Sequence, residues 1–169
     1  MREPIEVRLA READLDRLME LWLDLDRLQR RWRVFAEDPD EAEARREHYR
    51  EMLVAEDDTI LVAEDESGVV GMAVLRVQRP SPGAKANALS VSNVSVEPGR
   101  QRRGVGRALL EATVDFARER EIEHVAAWVY ARNHRAQRFW SALGLEPVAQ
   151  WRVAKVDEVG RRLGQGRNG

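Results

Sequence analysis

The sequence contains no cysteine. Disulfides, thiolate nucleophiles and cysteine-bound metals are thereby excluded, and a reducing compartment is the natural expectation. Histidine is scarce: His48, His124 and His134 stand apart with no ligand spacing, so no metal site is expected. There is almost no net charge either. The 28 basic and 30 acidic residues leave a formal charge of -2, which gives no global attraction to nucleic acid or membrane. Any polyanion site must then be a local basic patch. No apolar run approaches the roughly 18 residues that a membrane span needs. Met1 to Ala10 carries Arg2, Glu3, Glu6 and Arg8, unlike a secretory signal. A cytoplasmic protein is the expectation.

What is present is a core in periodic segments. The chain has 169 residues, 43% of them hydrophobic and 34% charged, enough for one domain. Alternation marks a strand at Ile5–Leu9. Leu15, Leu18, Met19, Trp22 and Leu25 recur at helical spacing and predict a helix over 12–31. Asp38-Pro39-Asp40-Glu41 is a helix start, with Asp38 as cap and Pro39 in the first turn, for a second helix running to about Leu53. Strands are expected at Thr59–Glu64 and Val69–Val77, joined as a hairpin around Ser67-Gly68, and at Ala88–Val96 and Val125–Tyr130. Pro80 to Gly83 reads as a loop. Val105, Leu109, Ala112 and Phe116 predict a third helix. Ala136, Phe139, Trp140 and Leu143 predict a fourth, ended by Gly144. Pro147–Val156 reads as a last strand. The domain is expected over 1–157, with 158–169 as a flexible tail.

The stretch from Val94 to Arg107 carries the chemistry. A strand ends, a glycine-containing turn follows, and a helix starts. The first N–H groups of a helix lack partners and its N-terminus is positive. Gly104 and Gly106 leave no side chain to block a ligand, and Arg100, Arg102, Arg103 and Arg107 add local charge. Together these make a phosphate cradle; a softened turn with solvated arginines is the plainer alternative. A dinucleotide fingerprint would need a glycine where Leu109 stands, and no Gly-Lys-Ser/Thr loop occurs. The strand before the cradle has a phase slip. Leu89 and Val91 share one face and Val94 and Val96 share a face, but the interval between the pairs is odd. One extra residue near Ser92-Asn93, a β-bulge, resolves it. Such a bulge would splay the strand from its parallel neighbour and open a slot.

Gln101-x-x-Gly104-x-Gly106, placed between strand and helix, resembles the Q/R-x-x-G-x-G/A signature of the GNAT family of N-acetyltransferases. Asn133-x-x-Ala136-x-x-Phe139-Trp140-x-x-x-Gly144-Leu145 resembles a second element of that family. The resemblance implies an α/β (α+β) fold: a mixed, mostly antiparallel sheet with a bulge in its central strand, flanked by about four helices. It implies an enzyme that moves the acetyl group of acetyl-CoA, its co-substrate, to an amine by direct attack. The N–H groups of Gln101, Arg102, Arg103, Gly104, Val105 and Gly106 would hold the pyrophosphate, with Arg107 a further cofactor-binding candidate through its charge. Val94, Ser95 and Val96 would meet the pantetheine arm and the thioester carbonyl, and Asn133 would contact the arm. Arg100, Arg102 and Arg103 are candidates for the 3′-phosphate.

Two positions depart from the pattern. The family usually has a tyrosine, as acid for the leaving thiolate, where Trp140 stands; indole donates a hydrogen bond but is no useful acid. Trp140 is then a core aromatic or a cofactor contact, and Tyr130 is the candidate substitute acid. The usual glutamate base is replaced by Ser90, which could only relay a proton through water. On the acceptor side, Trp32, Phe35 and Asn93 are candidate substrate contacts, while Trp22, Trp128 and Trp151 read as packing residues. Glu37, Asp38, Asp40, Glu41 and Glu43 would favour a cationic amine, unless they only serve a helix N-terminus. The partner is expected to be a small-molecule or peptide amine, with no nucleic acid and no membrane. The last strand could serve a homodimer interface. The alternative is a non-catalytic acyl-CoA-binding or regulatory domain of the same fold. A nucleic-acid or protein-interaction module built on the basic stretches lacks the interleaved aromatics it would need.

Overall fold

The computed structural model describes residues 4–34, 40–79, 88–150 and 152–165. β1 (Glu6–Leu9) leads through a 3-10 turn into α1 (Leu15–Gln29), and a second such turn, Arg30–Trp32, ends that helix. Then come α2 (Glu41–Met52), β2 (Asp58–Asp65), β3 (Gly68–Gln78) and β4 (Ala88–Val96). A 3-10 turn at Pro98–Arg100 precedes α3 (Val105–Glu119), β5 (His124–Ala127), α4 (His134–Ala142) and α5 (Val156–Gln165). The strands form one five-stranded sheet in chain order. Every pairing is antiparallel except β4 with β5. This is the mixed sheet expected, flanked by five helices among the described residues. Among the described residues, no helix is long and apolar enough to cross a membrane.

Strand alternation divides the core in two. On one face Leu61, Ala63, Ala73, Leu75, Leu89 and Val91 pack against Val105, Leu109, Phe116 and Ala117 of α3. On the other, Ile60, Val62, Met72 and Val74 pack against Leu15, Leu18, Leu21 and Trp22 of α1 and Tyr49 and Met52 of α2. Each large side chain taken out of water contributes roughly 1.5–3 kcal/mol. These two faces therefore fix where the termini of α1, α2 and α3 lie.

β4 carries the expected bulge. Met72 pairs with Ser95 and Val74 with Ser92, so β4 spends one residue more than β3 over that interval. Asn93, at φ +46°, is inside it. The slip lets Leu89, Val91, Val94 and Val96 all pack toward α3. A second irregularity lies in β3, where Ala63 pairs with Gly71 and Glu64 with Val69. It turns Val70 toward α3 beside Gly71, which faces α3 by alternation with Ala73 and Leu75. A Cβ on Gly71 would stand 2.8 Å from Val105 Cγ1 and 3.1 Å from the Ser95 carbonyl. Gly71 thus sets how closely α3 approaches the sheet.

Several expectations need correction. Among the described residues, the last strand, Pro147–Val156, does not form. The sheet ends at β5, residues 145–150 and 152–155 have no regular structure, and α5 begins at Val156. Alternation says which way side chains would face but supplies no partner, and β5 offers only four residues to pair with. Val156, Val159 and Leu163 follow a helical period instead and are exposed. The boundary expected at 157 falls inside α5. Trp128 is not buried: it follows the end of β5 and is 69% exposed. Trp22 is core, at 5% exposure. Asp38 and Pro39, the Pro80–Gly83 loop and Trp151 lie outside the described residues. α4 ends as expected. Gly144 has φ +86°, its N–H bonds Ser141 O at 3.0 Å, and Leu145 N–H bonds Trp140 O at 3.1 Å. This double bond is a Schellman motif.

Candidate functional site

The bulge breaks the sheet open. β4 and β5 pair from Ala88↔His124 to Val91↔Ala127 and no further. β4 continues to Val96 while β5 has ended. The β5-side edge of Ser92 to Val96, left without a paired strand, therefore borders a slot. Val94 and Val96 are half-buried against the α3 layer. Ser95 points the other way, and its Oγ donates to Leu21 O of α1 at 2.9 Å.

The cradle closes one end of this slot. Gly104 is the N-cap of α3 at φ +100°, without a side-chain cap. A Cβ on Gly104 would meet nothing within 4 Å. A Cβ on Gly106 would meet only Val96 Cγ2, at 3.8 Å. The protein itself thus leaves space at both glycines. Val105 between them is buried at 1% exposure and anchors the helix end. Arg102, at φ +61°, turns the chain so that the loop enters the helix. Gln101 ties the loop down: its Nε2 donates to Val96 O at 3.2 Å, and its Oε1 accepts from Arg135 of α4 at 3.5 Å. An uncapped helix end with open backbone fits a phosphate-bearing ligand.

The arginines of this stretch divide. Arg100 is held by the β2–β3 turn, 3.2 Å from Asp65 Oδ2 and 3.1 Å from Ser67 Oγ. Arg107 lies along α3 against Glu111 at 2.8 Å. Arg102 and Arg103 are exposed beside the cradle. Glu97 pairs with Arg17 of α1 at 3.0 Å.

The remaining candidates are spread along the slot. Asn133 is the N-cap of α4, its Oδ1 accepting from Ala136 N–H at 3.1 Å; only its amide nitrogen is left for a ligand. Trp140 packs against the α3-side core and meets Phe139 edge-on, with ring centroids 5.3 Å apart. Tyr130 is 38% exposed, and its ring lies 6.1 Å from Trp32. Those two aromatics bring the end of β5 and the end of α1 together. Ser90 is 7% exposed, on β4 before the bulge. His134 is exposed at the start of α4, and Phe35 lies outside the described residues.

The α1–α2 layer beside the bulge holds groups that the sequence reading did not single out. Tyr49 of α2 is fully buried, and its hydroxyl accepts from Asn93 Nδ2 at 3.2 Å. Burial pushes this phenol up to about 12, against smaller opposing effects of Arg45 and the Asn93 bond. Arg45, one turn earlier, lies with its guanidinium carbon 5.4 Å from the Trp22 ring and 6.0 Å from the Tyr49 ring. Asp26 of α1 is buried at 2% exposure between Arg30, at 2.9 Å, and Arg33. Arg33 also holds Glu41 at 2.7 Å. Of the acids expected to attract a cation, Glu41 is thus neutralised within the protein. Asp40 and Glu43 are exposed, and Glu37 and Asp38 lie outside the described residues. The spacing of Arg45, Tyr49 and Met52 on one helix face was the available signal for this layer.

The fold is thus a mixed sheet splayed at a bulge, beside an uncapped helix N-terminus. Residues 15–145 match the acetyltransferase (GNAT) family, and the chain belongs to it. A mycothiol acetyltransferase of Beutenbergia cavernae is 39% identical over 56 residues, covering 33% of this chain and 19% of that protein. The chain therefore matches less than a fifth of that relative's length. Among solved structures, a tetramutant of the BH1408 protein of Bacillus halodurans superposes with a TM-score of 0.78 at 21% identity, over 89% of this chain and 99% of that one. A predicted acetyltransferase of Clostridium acetobutylicum, solved with acetyl-CoA, gives 0.71 at 14% identity, over 92% and 98%. At these identities the structural likeness speaks for the fold.

Proposed function

We propose that this acetyltransferase takes acetyl-CoA as co-substrate and passes the acetyl group to an amine by direct attack. The observation that carries the reading is the end of β4–β5 pairing at Val91↔Ala127, next to the bulge and the uncapped start of α3. The N–H groups of Gln101 to Arg107 would receive the pyrophosphate, with Arg102 and Arg103 beside it. The exposed edge of Val94 to Val96 would pair with the pantetheine arm and polarise the thioester carbonyl, and Asn133 Nδ2 would steady the arm.

An amine arriving neutral attacks the polarised carbonyl. The C–N bond forms, the C–S bond breaks, and the thiolate departs. Holding the two reactants together supplies much of the rate. A thiol pKa near ~8.5 makes thiolate a tolerable leaving group at neutral pH, and Tyr130 would protonate it. Water near Ser90 would take the amine proton. Trp32 and Asn93 would border the acceptor.

A thermal melt tests the cofactor part. Acetyl-CoA at about 100 times its Kd adds roughly 2.7 kcal/mol, which should raise Tm by roughly 5–10 °C, with adenosine inert. No shift at millimolar acetyl-CoA overturns the proposal. Trp140 packed on the core and Ser90 in place of a carboxylate favour one alternative, a non-catalytic acyl-CoA-binding or regulatory domain. A Tm shift without thiol release from any amine would select it.

A further inference from the structure

The bulge holds one polar side chain by one end only. Asn93 stands just past Val91, the last residue of β4 paired with β5, with its backbone at φ +46°. Leu89, Val91, Val94 and Val96 of the same strand pack toward α3. Asn93 faces the other way, toward α2, and its Nδ2 donates to the Tyr49 hydroxyl at 3.2 Å. Tyr49 is fully buried in the core between α1, α2 and the sheet, so its hydroxyl is a fixed point. An amide group is planar, and holding its nitrogen also aims its oxygen. Asn93 is only half-buried, and its Oδ1 has no hydrogen-bond partner among the described residues. A pinned amide with a free carbonyl is therefore presented beside the slot, on the α1–α2 side of the sheet.

We infer that Asn93 orients the attacking amine, its Oδ1 accepting one N–H so that the nitrogen lone pair faces the thioester carbon, and that Tyr49 is the positioning residue that aims this amide. This rests on the acetyltransferase reading above and assigns two residues of its acceptor side. A neutral amine keeps one N–H on Asn93 while the C–N bond forms. Its other proton passes to water near Ser90, the C–S bond breaks, and the thiolate leaves with the electron pair. Asn93 takes no proton in this sequence. Its contribution is alignment of the two reactants.

The test is a cycle of Asn93→Gly, Tyr49→Phe and the double variant. Glycine takes a positive φ without strain, so Asn93→Gly keeps the bulge and removes the amide. Tyr49→Phe keeps the buried ring and removes its hydroxyl. Acetyl-CoA should raise the Tm of all three as it does for the wild type. Thiol release from acetyl-CoA is followed with spermidine, phenethylamine and a dipeptide with a free N-terminus, and kinetics are taken with the fastest of these. With rates counted per acetyl-CoA site, kcat should fall at least about tenfold in Asn93→Gly and about threefold in Tyr49→Phe, with KM for acetyl-CoA unchanged. The double variant should be no slower than Asn93→Gly alone, because Tyr49 has nothing left to aim. A hydroxyl that only supported the core would lower Tm and leave kcat per site in place. Unchanged kcat in either single variant, effects that multiply in the double variant, or loss of the acetyl-CoA shift in Asn93→Gly overturns the inference. Thiol release with none of these amines, while acetyl-CoA still raises the wild-type Tm, also overturns it and leaves the cofactor site standing. Loss of the wild-type Tm shift as well would take down the functional proposal itself.

Discussion

Consider Gly71→Ala. The new methyl would sit 2.8 Å from Val105 Cγ1, 3.1 Å from Ser95 O and 3.3 Å from Leu109 Cδ1. The nearest atom belongs to a β-branched side chain, which has few other rotamers in a helix, and Val105 is 1% exposed. Relief must come from moving the first turn of α3 off the sheet. Overpacking of this kind costs about 1–3 kcal/mol, or a Tm loss of roughly 3–10 °C at this chain length. Val105→Ala alone removes buried methyls and costs roughly 2 kcal/mol. In the double variant the clashing Cγ1 is gone and the space is shared. The two changes should therefore cost about 1 kcal/mol less together than their sum. Denaturant melts of the wild type, both single variants and the double variant measure this directly. Because the same turn carries the cradle, acetyl-CoA affinity should fall in Gly71→Ala and recover in the double variant. Additivity within about 0.5 kcal/mol, or a neutral Gly71→Ala, would refute the claim that Gly71 seats α3.

Three further outcomes are expected. The buried Tyr49 phenol, raised to about 12, contributes stability that is present below pH ~10 and lost as pH rises through ~12, at most about 2–3 kcal/mol; Tyr49→Phe should flatten that alkaline limb in pH-dependent melts, and an unchanged limb would remove Tyr49 as its source. Arg100→Ala should lower Tm through loss of its tie to Asp65 and Ser67, whereas Arg102→Ala with Arg103→Ala should leave Tm in place and weaken acetyl-CoA; the reverse pattern would contradict the division made here. Tyr130→Phe should lower kcat at saturating substrates, and an unchanged kcat would exclude it as the acid.

The cradle and the bulge were legible because each rests on local backbone logic: glycines at a strand-to-helix turn, and a broken period of two. The α1–α2 layer was less legible. Tyr49 and Met52 sit on a strongly charged helix whose apolar stripe is narrow, and nothing in the sequence says that Arg33 reaches Glu41 or that Asp26 is buried between arginines. Gly71 could have been flagged, since an isolated glycine in a strand marks a bulge or a close approach. The last strand failed for another reason. Its alternation is real, but pairing is a property of the neighbour, and β5 is too short to offer an edge.

The bulge itself invites a sharper test, deletion of Asn93. In a regular β4 the side chains would alternate without a slip. With Asn93 gone, Leu89, Val91, Val94 and Val96 fall on one face with period two, the face they already share toward α3. Ser90, Ser92 and Ser95 fall on the other, where Ser95 already bonds Leu21 O. The deletion therefore preserves core parity and should leave a folded protein. What it loses is the partner of the buried Tyr49 hydroxyl, at about 1–3 kcal/mol, and the slip that parts β4 from β5 after Val91↔Ala127. The expected product melts cooperatively at a lower Tm and shows no acetyl-CoA shift. An unfolded product would mean that the extra residue is needed for the core. A folded product with the full shift would mean that the slot is opened by the early end of β5, not by the bulge.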